Sequence, residues 1–185
     1  MSEVPPPDPK RRLFFALWPA DELRRQIEES TVGLARHSGG RVVPARNFHV
    51  TLAFVGEVTQ EQMSSVLSAA EATSASRFSL VLDQIEAWSK ANVLVLDTPR
   101  TPPELALLVD RLHFNLLEKQ IKLKREVYRP HLTLARKLPG LRALQKIAPF
   151  NWAVHEFALV ESSTTGKEAG FAETRYAVLA RWSLA

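Results

Sequence analysis

Four residues of this chain have the types and the spacing to do chemistry together: His49 with Thr51, and His131 with Thr133. Each pair sits in the same short phrase, His-Val-Thr-Leu-Ala from position 49 and His-Leu-Thr-Leu-Ala from position 131, with the histidines 82 positions apart. An imidazole has an ordinary pKa of about 6.5, so near neutral pH one can give a proton while another takes one. A threonine hydroxyl can donate to an anionic oxygen. In an extended strand alternate side chains share a face. His and Thr of each copy therefore point one way, while Val50, Leu52 and Phe54, or Leu132 and Leu134, point the other. Two such strands facing one cleft would set an acid and a base on opposite sides of a phosphorus, with hydroxyls on its oxygens. That arrangement suits in-line displacement without a metal.

A single exposed histidine beside a β-favouring threonine is ordinary strand surface. Two matched copies in equivalent elements are not. A metal site is the obvious rival, but two histidines with no adjacent Asp, Glu or Cys make an incomplete ligand shell. No G-x-S-x-G turn offers a serine nucleophile, and no phosphate-cradling glycine loop is present. The chain has no cysteine, which removes thiol chemistry, disulfides and Cys-based zinc sites and fits a reducing compartment. His37, His113 and His155 lack the threonine partner and read as structural or surface residues.

The elements that must carry the two phrases can be traced along the chain. Arg12–Trp18 reads as a buried strand closed by Pro19, and Ala20–His37 as an amphipathic helix ended by Ser38-Gly39-Gly40. A short extended piece, Arg41–Pro44, precedes the first motif strand at Phe48–Val55, which Gly56 breaks. Thr59-Gln60-Glu61-Gln62 has the form of a capping box opening a helix with Met63, Val66, Leu67 and Ala70 on one face. Arg77–Leu82, Gln84–Trp88 and Asn92–Asp97 read as three strands. A helix then starts with Thr101 as N-cap and carries Leu105, Leu108, Val109, Leu112 and Leu116 as a core stripe. A basic connector, Lys119–Arg129, leads to the second motif strand. Leu141–Ala148 reads as a short helix, and Trp152–Glu161 and Arg175–Leu184 as strands around a loop at Ser162–Gly170.

Each half thus reads strand, helix, His-x-Thr strand, with Leu13–Leu17 matching Val93–Leu96 and a seam at 98–101. Two such halves, helices outside and sheet faces inward, predict an α+β bilobal fold. At 185 residues the chain is one domain or two intimately packed halves. Residues 10–185 are expected to form a single bilobal catalytic domain, after a proline-rich lead-in at 1–9. Leu13–Trp18 is too short for a membrane span or a signal-peptide core, so a cytoplasmic protein without a membrane partner is expected. The net charge of +4 is compatible with plain solubility and with a polyanionic partner alike.

The flanked phrases Asn47-Phe48-His49-Val50-Thr51-Leu52-Ala53-Phe54-Val55-Gly56 and Arg129-Pro130-His131-Leu132-Thr133-Leu134-Ala135-Arg136 resemble those of the 2H phosphoesterase superfamily. Within it the chain most resembles the RNA 2′,3′-cyclic phosphodiesterases, also described as bacterial 2′-5′ RNA ligases. The opening Arg12–Leu17 and the closing Tyr176–Trp182 share the likeness. The resemblance implies two pseudo-symmetric lobes, each with an antiparallel-rich sheet facing a central cleft. It implies a metal-independent reaction on RNA with a 2′,3′-cyclic phosphate terminus or a related cyclic nucleotide; a monomer without a cofactor is expected.

By the same resemblance His49 would be the proton donor and His131 the proton acceptor, with Thr51 and Thr133 on the phosphoryl oxygens. Arg136 matches a position associated with phosphate or RNA, yet strand parity puts it with Leu132 and Leu134, away from His131. It reaches the cleft only if the strand ends or bulges there. Arg129 and the rest of the connector are candidates for RNA contact, and Phe48 and Trp88 for stacking on a base, each against a plain structural reading. Hydrolysis to a 2′-phosphomonoester is the leading activity. RNA 2′-5′ ligation, or a non-catalytic module that binds RNA ends or nucleotides, are the alternatives.

Overall fold

The computed structural model describes residues 10–124, 127–140, 144–165 and 173–185. The chain runs β1 (Arg11–Leu17), α1 (Asp21–His37), β2 (Arg41–Val42), a 3-10 turn (Ala45–Asn47), β3 (Val50–Val58), α2 (Gln60–Glu71), β4 (Phe78–Trp88) and β5 (Val93–Asp97). It continues through α3 (Pro103–Glu118), β6 (His131–Arg136), β7 (Leu144–Val154), β8 (Glu156–Thr165) and β9 (Glu173–Ser183). The sheet order is β7-β4-β5-β6-β3-β1-β8-β9, with β2 added beside β6. The two motif strands are therefore neighbours at its centre, antiparallel, with Val50 opposite Leu132.

This is the α+β, two-lobed architecture that the repeated halves predict. One lobe is β7-β4-β5-β6 and the other β3-β1-β8-β9, and they meet at the β3/β6 seam. The repeated unit is β1-α1-β3 in one half and β5-α3-β6 in the other. Residues 98–101 join β5 to α3 and so lie inside the second unit, not ahead of it. Each unit's helix packs on the other unit's motif strand, α1 against β6 and α3 against β3. The halves are thereby bound across the seam by their cores.

Side-chain alternation sorts β1 between two faces. Leu13, Phe15 and Leu17 join the main core under the helices, with Ile27, Val66, Leu108, Leu112, Leu132 and Phe157. Burying each such side chain contributes roughly 1.5–3 kcal/mol, which fixes the back of the sheet to the helix layer. Phe14 and Ala16 point the other way, into a small cluster with Ala158, Val160, Trp18, Tyr176 and Val178. The helices cover one face only. The other face is left for the cleft.

The capping box of α2 forms as the sequence predicts, with Gln62 N–H donating to Thr59 Oγ1 at 3.4 Å and Thr59 N–H donating to Gln62 Oε1 at 3.1 Å. Several other expectations are corrected. The segments at 77–82 and 84–88 are one strand, β4, whose pairing with β7 shifts register between Leu82 and Gln84. Asp83 interrupts the apolar alternation without ending the strand. The short helix expected at 141–148 is strand from Leu144, paired to β4, and 141–143 lie outside the described residues. Tertiary pairing decides a segment whose apolar spacing fits either structure. The strand read at 152–161 belongs to two strands that part at His155, and Ser162–Thr165, read as loop, extend β8. Residues 166–170 of that loop lie outside the described residues, as does the lead-in at 1–9. Helix α3 is capped by Pro102, not Thr101, with no side-chain cap bond. A residue before proline is held extended, and Pro102 precedes Pro103, so the helix begins only at the second proline.

Candidate active site

The register at the seam sets the site. With Val50 opposite Leu132 in an antiparallel pair, His49 comes opposite Thr133 and His131 opposite Thr51. Each histidine thus sits beside the threonine of the other half, and the two histidines are diagonal neighbours, about 7–8 Å apart by ordinary sheet geometry. Both imidazoles are tied alike. His49 Nδ1 bonds the Asn47 carbonyl at 2.7 Å, and His131 Nδ1 bonds the Arg129 carbonyl at 2.8 Å. A carbonyl can only accept, so Nδ1 carries the hydrogen and Nε2 is left for proton exchange. All four motif residues line one cleft of about 640 Å³, together with Arg12, Phe14, Phe54, Trp88, Arg136 and Tyr176 among others.

Two of those residues contradict simple parity. Phe54, expected on the apolar back, is 46% exposed and faces the cleft. Arg136, two positions from Leu134, faces it as well. The cause is a matched pair of β-bulges. Phe15 pairs with Ala53 but Ala16 with Thr51, so Leu52 is an extra residue. Leu94 pairs with Ala135 but Val95 with Thr133, so Leu134 is extra in the same way. One extra residue reverses the facing of everything after it. The fifth residue after each histidine is thereby turned to the front, Phe54 in one half and Arg136 in the other. A bulge leaves backbone groups to be satisfied elsewhere. The Leu52 carbonyl accepts from His113 Nε2 at 3.1 Å, and the Leu134 carbonyl from Val43 N–H at 2.8 Å. His113 is structural, as its sequence context suggests. Gly56 does not end β3. With φ +86 it sits beside a further register shift between Leu13 and Phe14, and the strand runs on to Val58.

The surroundings of the histidines differ. His49 stacks on Trp18, with centroids 5.6 Å apart and planes 14° apart, and also touches Phe14 and Tyr176. His131 packs against Trp88 at 4.4 Å. The Arg129 guanidinium lies over that indole at 4.4 Å and bonds Glu86 at 2.8 Å and buried Asp97 at 3.1 Å. Burial pushes the His49 imidazole down to about 4; its bond to the Asn47 carbonyl opposes this, and Arg136 and His131 add to it. His131 is lowered by the same desolvation, opposed by its bond to the Arg129 carbonyl and reinforced by Arg136 and Arg129. Asp97 is pushed up to about 6 by burial, with Arg129 opposing.

These shifts have a sign in stability. A histidine whose folded pKa lies below its unfolded value stays neutral while the unfolded chain takes up a proton. Its contribution is intact above about pH 6.5 and is lost as pH falls, down to about 4 for His49. Asp97 runs the other way, adding stability as pH falls from about 6 towards 3.8. Removing the His49 titration with His49→Gln should flatten the acid limb. Relative to wild type, the variant's unfolding free energy is expected to gain up to about 3 kcal/mol between pH 6.5 and 4, measured by urea midpoints. Parallel curves would contradict a neutral, buried His49.

The other expected site residues fall differently. Phe48 is 3% exposed and packed in the main core. Neighbours in an extended chain face opposite ways, so the turn that presents His49 buries Phe48, and the expectation that it stacks on a base is corrected. Arg129 is held by two carboxylates beside His131. The basic connector is not one surface: Lys124 borders an apolar cavity of about 350 Å³ with Trp88, Tyr128 and Arg129, while Lys122 lines a separate depression with Glu57 and Gln62. Arg125 and Glu126 lie outside the described residues. The sequence reading missed Arg12, Phe14, Trp18 and Tyr176. The even-numbered parity of β1 was the available signal for the first three, hidden because the whole run is apolar after Arg12. Among the described residues no group of three or more His, Cys, Asp or Glu is placed to hold a metal ion, and no helix is long and apolar enough to cross a membrane.

Comparison with known proteins agrees with this geometry. The sequence model of a family described as LigT like Phosphoesterase matches residues 17–95. An RNA 2′,3′-cyclic phosphodiesterase of Escherichia coli K12 is 32% identical, over 94% of this chain and 97% of that protein. One of the same name from Thermus thermophilus is 27% identical, over 94% of this chain and 90% of its own length. The crystal structure of E. coli LigT complexed with 3′-AMP superposes with a TM-score of 0.84 at 31% identity, covering 95% of this chain and 99% of that one. That of TT0787 from T. thermophilus superposes with 0.77 at 25% identity, covering 93% and 97%. Likeness of this extent, end to end and with the paired motif strands at the centre of the sheet, makes the chain a member of the LigT-like phosphoesterase family.

Proposed function

We propose that this protein is an RNA 2′,3′-cyclic phosphodiesterase that opens the cyclic phosphate of an RNA end to a 2′-phosphomonoester by metal-independent, two-histidine acid–base catalysis. The observation that carries the reading is that His49 and His131 are diagonal neighbours across the seam, each with Nδ1 spent on a backbone carbonyl and Nε2 left for the cleft. The names of the E. coli and T. thermophilus relatives support the substrate class.

In this reading a water attacks phosphorus opposite O3′, and His131 Nε2 takes its proton. The P–O3′ bond breaks as the new P–O bond forms. His49 Nε2–H gives its proton to the departing O3′, leaving a 3′-hydroxyl and a 2′-phosphate. Thr51 and Thr133 donate to the non-bridging oxygens, and Arg136 offsets the charge that gathers there. His49 must enter the reaction protonated although the protein alone holds it neutral. The phosphodiester anion supplies the missing charge partner, since an adjacent negative charge raises an imidazole pKa. The acid form is thus made by substrate binding.

The test is to incubate the protein with an oligoribonucleotide ending in a 2′,3′-cyclic phosphate, with and without EDTA, and to resolve 2′- from 3′-phosphate products. A 2′-phosphate formed at the same rate in EDTA is the expected result. Loss of turnover in EDTA would contradict the metal-independent mechanism. Tight binding without a new phosphomonoester would instead favour a binding module, and joined oligonucleotides as the main product would favour the ligase.

A further inference from the structure

Past Arg136 the cleft adjoins a second depression of about 520 Å³, bordered by Arg41, Asn92, Arg136, Lys137 and Leu138. The two spaces share Ala91, Val93 and Arg136 in their walls and so adjoin. Among the described residues that border it, the titratable side chains are the cations Arg41, Arg136 and Lys137. Two of them are set against each other by the backbone, since Arg41 of β2 pairs directly opposite Arg136 of β6. The fold holds β2 close to β6 here. A Cβ on Gly40 would lie 2.8 Å from the Arg136 carbonyl and 2.8 Å from Leu138, so β2 can approach only as glycine allows. Lys137 takes a left-handed φ of +60, and Leu138 N–H donates to the Asn92 carbonyl at 3.1 Å. Backbone is pinned on both sides of the depression while all three cationic residues are exposed. An exposed cationic wall that adjoins the cleft suits a repeating anion.

We infer that the groove formed by Arg41, Lys137 and the outer side of Arg136 carries the phosphodiester backbone of the RNA strand leading to the cyclic phosphate, so that the protein favours oligonucleotide ends over mononucleotides. The inference rests on the phosphodiesterase reading for the position of the terminal phosphate. It moves the RNA track away from the connector that the charge pattern of the sequence favours, and to the opposite end of the cleft. The groove's contribution is electrostatic and falls with salt, because binding there releases counterions from the strand.

The experiment compares wild type with R41A/K137A on two substrates, a nucleoside 2′,3′-cyclic monophosphate and a short oligoribonucleotide with the same terminal nucleotide and cyclic phosphate. The variant is expected to raise KM for the oligonucleotide about tenfold for each charge-assisted contact removed, with kcat unchanged. The mononucleotide should be turned over as by wild type. The slope of log kcat/KM against log salt should become shallower by about 1.4, at about 0.7 per single-strand phosphate released. Equal losses on both substrates, or no loss on the oligonucleotide, would overturn the groove. Fluorescence anisotropy of the same oligonucleotide reads the groove without turnover, and the charge-reversed Lys137→Glu should weaken binding further. If neither substrate is hydrolysed while the binding difference holds, the phosphodiesterase reading falls and the groove stands. Equal binding by wild type and both variants overturns the groove whatever the turnover.

Discussion

His49→Ala and His131→Ala are each expected to lower kcat/KM on a cyclic-phosphate-ended oligonucleotide by about 10²–10⁴-fold, the ordinary worth of one positioned acid or base. The double variant should lose little more than the worse single one. The two groups move protons in one step, and removing either leaves the other without its partner reaction. The wild-type pH profile should be bell-shaped, and each single variant should lose one limb of it. The limb that disappears with His49→Ala identifies that residue's role directly: loss of the alkaline limb marks the acid, loss of the acid limb the base. The environments make this informative. His49 lies among Trp18, Phe14 and Tyr176, whereas His131 backs onto Trp88 and the Arg129–Asp97–Glu86 cluster. Full activity in either variant would exclude the paired mechanism. Both side chains face a cleft and neither fills the main core, so folding is retained and the loss is read as chemistry.

How far the sequence reached can be seen at the same residues. The phrase said twice was enough to set His49, Thr51, His131 and Thr133 on one face, because period-two alternation is a local property of the strand. It was enough for the lobes too, since each motif strand is preceded by a strand and a helix whose apolar spacing is plain. Phe54 and Arg136 lay beyond it. Their facing depends on Leu52 and Leu134 being extra residues, and a bulge is a relation between two strands that neither strand's sequence states. Its sole trace was functional: an arginine on a nominally apolar face, five positions after a histidine. The failures at 77–88 and 141–161 have a related origin. Strand β4 and its partner β7 are decided by pairing, and a local reading stops at each polar residue or doubtful period. The contacts of Arg129 were hidden for a different reason. Glu86 and Asp97 come from two other strands, and only the sheet order brings them to the base of His131.

Arg136→Ala should reduce kcat/KM by about 10²–10³-fold while leaving thermal stability nearly unchanged. A cation aimed at the oxygens of the transition state contributes on the scale of an oxyanion-hole donor, and the side chain is exposed and outside the core. The same substitution has a second readout that a purely structural residue would not give. Arg136 depresses both imidazoles, so its loss should carry both limbs of the pH profile to higher pH. Arg136→Lys keeps the charge and should keep the limbs near their wild-type positions. It should recover only part of the rate, because an ammonium cannot span two phosphoryl oxygens as a guanidinium does. Phe54, the counterpart in the other half, serves as the control. It is delivered by the equivalent bulge and lies under the Arg12 guanidinium at 4.9 Å. With no charge of its own, Phe54→Ala should change KM more than kcat and leave the pH limbs in place. If Arg136→Ala leaves both the rate and the pH limbs untouched, the Leu134 bulge serves only the fold. If Arg136→Ala moves both as expected while Phe54→Ala does not, one irregularity, used twice, has given each half of the molecule a different task.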